Sequence, residues 1–340
     1  MPEEVRLDSG IIYRAYEYHE IGSSRVISLI LDFARRHRID MIEAPDHLGE
    51  AAGLLKLRNR PPVMINCRYN DVFLKARYAQ VHYSWQKMTI ALACLRQWRT
   101  IQRERYSIEK ADLLAAPCRL MLDGLRGQGV KLPVRTKVLP KPITPVPFWK
   151  NCEAERPTIL FVGRIDIGKG IECLPGLLKN ILKIFPDILL EIAGSDSYAR
   201  FIGSTQAWLT KRLQPMRDNV HFLGFLNRQE LDEAYRRAWV VIVPSKWDTS
   251  PTSVLEGMVR RKAIVASPHG GMPEYLAGTD CVIADPATPA FATAVCEFLK
   301  SQSLRRKAGE SGEARVLENY NPEVCAAEYV SFIRSFLQIN

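Results

Sequence analysis

In the second half of the chain, apolar residues recur in short runs separated by stretches with helical spacing. Residues 158–163 (TILFVG), 188–194 (ILLEIAG), 220–225 (VHFLGF), 239–245 (WVVIVPS), 263–267 (AIVAS) and 281–285 (CVIAD) read as strands. Residues 171–185, 197–216, 227–238, 253–262, 291–301 and 303–320 carry apolar positions three and four apart and read as helices. Uniformly apolar strands alternating with amphipathic helices predict an α/β fold, with a parallel sheet covered on both faces. The first half alternates less completely. Strands are expected at 11–16, 39–45, 61–67, 111–117 and 137–142, and helices at 24–38, 49–59 and through a long region at 72–110. It opens without the strand, Gly-rich loop and helix that usually start such a domain. The expectation is a domain lacking its first β-α unit because the sequence begins late.

Six prolines between positions 133 and 157 interrupt the pattern (Pro133, Pro140, Pro142, Pro145, Pro147 and Pro157). Proline at this density stops helices and breaks ladders. The predicted organisation is therefore a first domain at 1–142, a linker at 143–156 and a second domain at 157–320. A last helix, 321–340, is expected to return to the first domain.

A chain of 340 residues with 47% hydrophobic and 25% charged positions suits two soluble globular domains. The net charge of +10 is unevenly spread: residues 1–150 carry 25 Lys+Arg against 15 Asp+Glu, and residues 151–340 carry 22 of each. An excess confined to one half points to an acidic partner for that half: an anionic membrane face, an acidic glycan or a nucleic acid. The stretch 78–106, with Trp85, Trp98 and several arginines, suits an anionic membrane surface. No nucleic-acid partner is expected, since no such motif appears and the charge avoids the half that carries the ligand motifs. No apolar run nears the ~18–20 residues of a membrane span, and no basic start precedes an apolar stretch. A cytoplasmic protein, peripheral on the inner membrane face, is expected. The eight cysteines are scattered, with no zinc spacing, so no metal site is expected and the thiols read as buried small hydrophobes.

The most telling chemistry lies in 241–274, VIVPSKWDTSPTSVLEGMVRRKAIVASPHGGMPE. Two carboxylates, Asp248 and Glu256, stand with seven residues between them. The first lies in a Ser/Thr/Pro loop and the second just inside a helix. Acids at a strand-to-helix loop are how α/β proteins hold polar ligands beyond the carboxyl ends of their strands. Upstream, FVGRIDIGKGIE (161–172) places Gly163 at a strand end with Arg164 and Lys169 behind it. A planar fork and a point charge together suit a diphosphate. Gly194 closes the next strand, and Gly270-Gly271 permits close backbone approach.

Together these pieces resemble the retaining glycosyltransferases of family 4, whose GT-B fold sets two Rossmann-like domains across a cleft. The resemblance runs from about Asp40 to Tyr329 and is strongest over 158–286. It implies a nucleotide diphosphate-sugar donor, a uridine diphosphate sugar by family habit, and no other cofactor. Arg164 and Lys169 would contact the phosphates, Glu256 the ribose hydroxyls, and Asp248, in the place of a longer glutamate, the transferred sugar. Gly163, Gly194, Gly270, Gly271, Thr249, Ser250, Thr252 and Ser253 would line the donor site, the loop from Thr249 offering backbone N–H groups.

IEAPDH (42–47), PVMINCRYND (62–71) and SIEKADLLAAP (107–117) resemble acceptor-domain landmarks, with Asp46 and His47 in a loop. Two departures fall on the sugar and acceptor side: Arg68 where the family has histidine, and Lys141 where it has asparagine. Arg68 remains able to donate a hydrogen bond or pair with an anionic sugar.

The resemblance further implies transfer with retention to a glycan or lipid-linked acceptor, in cell-surface polysaccharide or glycoconjugate synthesis. The route would be front-face, the leaving diphosphate helping to deprotonate the acceptor, without metal, since no Asp-x-Asp pair appears. Two other readings stand beside it: a sugar-nucleotide-binding protein of the same fold that transfers nothing, and a GT-B sugar-nucleotide epimerase.

Overall fold

The computed structural model describes residues 4–6, 12–14, 23–68, 97–146, 153–199 and 203–337. The expected helix at 72–97, with Trp85, lies outside them apart from Gln97. Its continuation forms helix α2 (Trp98–Lys110), where Trp98 is exposed.

The larger sheet holds β7 (Thr158–Val162), β8 (Leu189–Ala193), β11 (Val220–Gly224), β12 (Val240–Val243), β13 (Ala263–Ala266) and β14 (Val282–Ile283) in the order β11-β8-β7-β12-β13-β14. Every pairing is parallel. Because side chains alternate across a strand, Ile159, Phe161, Val240 and Ile242 face one layer, and Leu160, Val241 and Val243 the other. The first layer is α4 (Leu174–Leu182), α5 (Thr205–Leu213) and α9 (Pro289–Lys300), through Leu178, Leu209, Phe291 and Val295. The second is α6 (Arg228–Arg237), α7 (Thr252–Val259) and α10 (Gln302–Asn319), through Tyr235, Val254, Met258 and Val316.

The smaller sheet, β3-β4-β5-β6, is also parallel: Ile42–Pro45, Val63–Asn66, Leu113–Ala116 and Thr136–Val138. Helices α1 (Ser24–Arg36), α2 (Trp98–Lys110) and α3 (Arg119–Gly127) belong to this half. Its far face, Met64, Leu113 and Ala115, is covered by helix α11 (Pro322–Leu337) through Phe332, Ile333 and Phe336. β2 (Ile12–Arg14) pairs antiparallel with β1 (Glu4–Arg6) in a separate two-stranded sheet. No helix among the described residues is long and apolar enough to cross a membrane. Burial pushes the thiols of Cys118 and Cys173 up to about 12, as small core residues rather than nucleophiles.

Two expected helices fail for identifiable reasons. Residues 49–59 form short 3-10 turns (His47–Ala52 and Leu54–Lys56) because Leu48 and Gly49 take φ of 58° and 60°. A Cβ on Gly49 would overlap the backbone of Arg103 in α2, so the glycine serves a close crossing. Within 197–216, Gly203 at φ 74° ends a small hairpin of β9 (Tyr198–Ala199) and β10 (Gly203–Ser204). Helix α5 starts only at Thr205, capped by the Ser204 hydroxyl, which accepts from Ala207 N–H at 2.9 Å.

Helix α6 begins with a full capping box. Asn227 Oδ1 accepts from Gln229 and Glu230 N–H at 2.9 and 3.1 Å, and Glu230 returns the bond to Asn227 N–H at 2.8 Å. Asn227→Ala should cost about 1 kcal/mol, a fall in melting temperature of roughly 2–4 °C. A urea midpoint that moves with the slope unchanged is the expected result. No shift would show the cap to be idle.

Candidate functional site

The carboxyl ends of the two sheets meet. Thr249 Oγ1, after β12, donates to the Arg68 carbonyl after β4 at 3.0 Å. Tyr275 Oη, in the short helix α8 (Met272–Tyr275) after β13, donates to the Pro117 carbonyl after β5 at 3.2 Å and lies 3.2 Å from Ser250 Oγ. Glu274 accepts from Arg119 N–H at 2.6 Å. Ile143 N–H donates to the Tyr320 carbonyl at 2.8 Å where the chain crosses between halves.

Three glycines form the floor. Gly163 and Gly194 follow β7 and β8, and Gly224 ends β11. A Cβ on Gly194 (φ 149°) would overlap the Gly163 carbonyl, while Gly194 N–H bonds Gly224 at 2.7 Å. Only glycine allows this packing of strand ends. Behind the floor the 163–170 loop turns over. Asp166 Oδ1 accepts from Lys169 N–H at 3.1 Å and, through Oδ2, lies 3.1 Å from the Arg164 guanidinium, which is 65% exposed. Gly170, at φ 75°, lies so close to Pro244 that a Cβ would overlap the carbonyl oxygen, and Lys246 N–H bonds Gly168 at 2.9 Å. The loop is thereby stitched to the end of β12, and Lys169 Nζ forms an ion pair with Asp248 Oδ2. The other Asp248 oxygen accepts from Ser250 N–H at 3.2 Å.

The turn Gly270-Gly271 does something other than expected. A Cβ on Gly270 (φ 72°) would overlap the Asp248 backbone, and one on Gly271 would lie 2.6 Å from the Thr249 carbonyl. Gly271 N–H is already bonded to the Asp248 carbonyl at 2.7 Å. These glycines hold the acidic loop in place; the close approach they permit is to that loop. Thr249 and Ser250 likewise spend their hydroxyls on Arg68 and Tyr275.

Helix α7 opens without a side-chain cap, Pro251 being its N-cap residue. The N–H groups of Thr252 and Ser253 have no partner among the described residues. Glu256 follows Thr252 by four residues, about 6 Å along the helix. Its Oε2 accepts from the buried Tyr235 hydroxyl at 3.0 Å. Burial, reinforced by Glu256, pushes the Tyr235 phenol up, so it stays a donor. Arg260 stacks over the Tyr235 ring, its guanidinium carbon 4.9 Å from the ring centre, and bonds Asp232 at 3.0 Å and the Glu256 carbonyl at 2.9 Å. One carboxylate oxygen of Glu256 is fixed by the protein, and the other makes no hydrogen bond to a described residue.

On the opposite wall Arg68 is exposed, its backbone N–H bonded to Asp46 Oδ1 at 3.0 Å. Asp46, expected in an open loop, is fully buried for this purpose. Lys141 is half-buried and feels the charges of Arg68, Lys169 and Asp248. Sequence reasoning passed over Tyr235 and Tyr275, which read as core aromatics. The usable signal was that a buried phenol needs a partner for its hydroxyl. Among the described residues no group of His, Cys, Asp and Glu is spaced to hold a metal ion.

The family model described as "Glycosyl transferases group 1" matches residues 148–315. An alpha-D-kanosaminyltransferase from Streptomyces kanamyceticus is 27% identical over 161 residues, 46% of this chain and 40% of that protein. The chain spans about half the length of the curated relatives it matches first, 45% and 40% of theirs. Among solved structures, a sucrose-phosphate synthase from Thermosynechococcus elongatus superposes with a TM-score of 0.80 at 19% identity, over 100% of this chain and 87% of its own. Anabaena HepE in complex with UDP-glucose does so with a TM-score of 0.68 at 14% identity, over 91% and 82%. The architecture of two parallel α/β sheets meeting at their carboxyl ends is that of these proteins, the GT-B fold.

Proposed function

We propose that the protein is a retaining glycosyltransferase, a reading supported by the match of residues 148–315 to the group 1 glycosyl transferase model and by the likeness to solved structures of the GT-B fold. It takes a sugar from a nucleotide diphosphate donor and delivers it to a glycan or lipid-linked acceptor. The observation that carries this reading is one line of groups. Among the described residues, Glu256 has a carboxylate oxygen to spare, one turn beyond two amides without a partner at the start of α7, and Lys169 pairs with the acid just before them. Ribose on Glu256 puts a diphosphate at the helix N-terminus and Lys169, where dipole and cation both favour negative charge. Arg164, held by Asp166, lies at the mouth of the same loop. As the glycosidic bond breaks, charge grows on the leaving diphosphate, and these fixed donors stabilise it without reorganising. The acceptor hydroxyl then passes its proton to that diphosphate on the same face, which retains configuration. A uridine donor is favoured by the likeness to HepE, solved with UDP-glucose. A panel of uridine, guanosine and adenosine diphosphate sugars, read by thermal shift, tests the donor class. A panel that leaves the melting temperature unmoved would overturn it.

Glu256→Ala should weaken donor binding by about tenfold or more, the worth of a charge-assisted hydrogen bond. In calorimetry, a donor lacking both ribose hydroxyls should bind wild type and variant alike. Equal losses from hydroxyl removal in both proteins would place the ribose elsewhere.

A second reading has a specific observation behind it. Asp248 neutralises Lys169, as suits a protein that holds a sugar nucleotide without cleaving it. Calorimetric binding together with no product across acceptor extracts would favour this binding protein. Product formed from donor alone would favour an epimerase.

A further inference from the structure

Tyr235 is fully buried, so a ligand in the cleft cannot touch it. It lies in the core cluster that also holds Val254, Leu255, Met258 and Ile264. Its hydroxyl nevertheless donates to Glu256 Oε2 at 3.0 Å. The Ser253 carbonyl is farther away, at 3.3 Å. A phenol has one proton to give, and the nearer, charged oxygen is the stronger acceptor. Gly257 helps to make room for the ring: a Cβ there would lie 3.1 Å from Ile264 Cδ1 and 3.9 Å from Tyr235 Cε1.

Two helices build this arrangement. Asp232 and Tyr235 stand three apart on α6, and Glu256 and Arg260 four apart along α7 and its C-cap, so each pair shares a helix face. The Arg260 side chain, 5% exposed, pairs with Asp232 and donates to the Glu256 carbonyl at 2.9 Å. Its guanidinium carbon also lies 4.9 Å from the centre of the Tyr235 ring. A cation so placed makes the phenolic proton easier to share, while burial and the Glu256 charge keep it on its oxygen. The donor to Glu256 is therefore present whether or not a ligand is bound. A free glutamate side chain samples several rotamers, and ordering it on binding costs affinity. Here one oxygen is anchored beforehand and the other, Oε1, makes no hydrogen bond to a described residue.

Resting on the ribose reading of Glu256 above, we propose that Tyr235 is the positioning residue behind a preference for ribonucleotide donors, acting on the ribose hydroxyls only through Glu256. With Oε2 taken, Oε1 alone faces the ribose, and its two lone-pair directions suit two vicinal hydroxyls. A donor without those hydroxyls leaves this prepared acceptor unmatched. A site built to bond a hydroxyl rejects the analogue that lacks it for that reason. The selectivity thus depends on α6, an element that supplies no group to the nucleotide itself.

The test compares UDP with 2′,3′-dideoxy-UDP by calorimetry on the full chain, with the corresponding GDP and ADP pairs beside them. Wild type should bind the ribonucleotide of one pair at least about tenfold more tightly. In Tyr235→Phe, which removes one oxygen and keeps the ring under Arg260, that ratio should fall by about three- to tenfold. A ratio within one protein cancels any general loss of nucleotide affinity. The Tyr235→Phe, Glu256→Ala double variant should show the same ratio as Glu256→Ala alone, because the tyrosine acts through the acid. A ratio kept in full by Tyr235→Phe but abolished by Glu256→Ala overturns the proposal and leaves the ribose reading standing. Losses that add in the double variant also overturn it. If Tyr235→Phe does not fold, a crystal structure of the wild type with the diphosphate that binds best decides. Glu256 Oε2 still on Tyr235 with Oε1 on the ribose supports the proposal, and a Glu256 that has swung off Tyr235 overturns it. Equal binding of ribo and dideoxy forms by the wild type removes the ribose reading and the proposal together. If none of the three diphosphates binds, the donor reading itself is what falls, and the proposal with it.

Discussion

Lys169→Ala should lower sugar transfer by roughly 10²–10³-fold, the usual effect of removing one donor from developing negative charge, while the protein stays folded. The lysine side chain is 28% exposed and its partner Asp248 16%, so losing the pair leaves an acid that still reaches water and keeps the Ser250 N–H. Its contribution to stability is correspondingly modest, about 1 kcal/mol or less. Single-turnover assays with the best donor of the panel, beside a melting curve, separate the two effects. The double variant Lys169→Ala, Asp248→Ala adds a control. If the lysine served only to neutralise Asp248, removing both would restore activity; a lysine acting on the diphosphate predicts no rescue. Turnover near wild type in the single variant would sink the assignment.

Gly170→Ala should be the more damaging change to the molecule as a whole. At φ 75° an alanine costs about 1–2 kcal/mol from its backbone alone. Its Cβ would also overlap the Pro244 carbonyl, backbone that cannot swing aside as a side chain would. The total should reach about 2–4 kcal/mol, a melting temperature roughly 5–10 °C lower. Relief comes most readily by lifting the 163–170 loop off β12, which carries Lys169 away from Asp248, so donor affinity should fall as well. Gly176→Ala, six residues on in α4, makes the control. Nothing lies within 4 Å of its added Cβ, and alanine is favoured over glycine in a helix interior by up to about 1 kcal/mol. The same substitution should thus lower the melting temperature at one position and hold or raise it at the other. Matching responses would deny the close contact at Pro244.

The two positions show what a sequence can and cannot reveal here. The four central strands of the larger sheet, β7, β8, β12 and β13, were legible because their apolar runs are buried on both faces, which leaves a local mark. Glu256 stood out as an acid in the otherwise apolar context VLEGM. The reason for Gly270 and Gly271 was not legible. They are needed by the backbone of Asp248 and Thr249, more than twenty residues earlier, and a turn glycine looks the same whether a ligand or a loop lies against it. Gly49 misled in the same way, its neighbour being a helix over fifty residues downstream. Tyr235 carries a helical spacing that marks it as core, which it is; only its hydroxyl on Glu256 joins it to the site. Arg68 and Lys141 were visible one at a time as departures from a pattern. The bond from Thr249 to the Arg68 carbonyl depends on how the two halves meet, and no local periodicity encodes that.

Helix α11 gives the chain a peculiar order of assembly. The smaller sheet is translated first, yet among the described residues the cover of its Met64, Leu113 and Ala115 face comes from Pro322–Leu337, made more than two hundred residues later. During that interval the half-finished domain leaves the ribosome with an apolar face bare, the condition in which nascent chains stick to one another or to chaperones. The larger domain is synthesised in the meantime and can close on its own residues. Completion of the first domain's core therefore waits on the chain that follows the second.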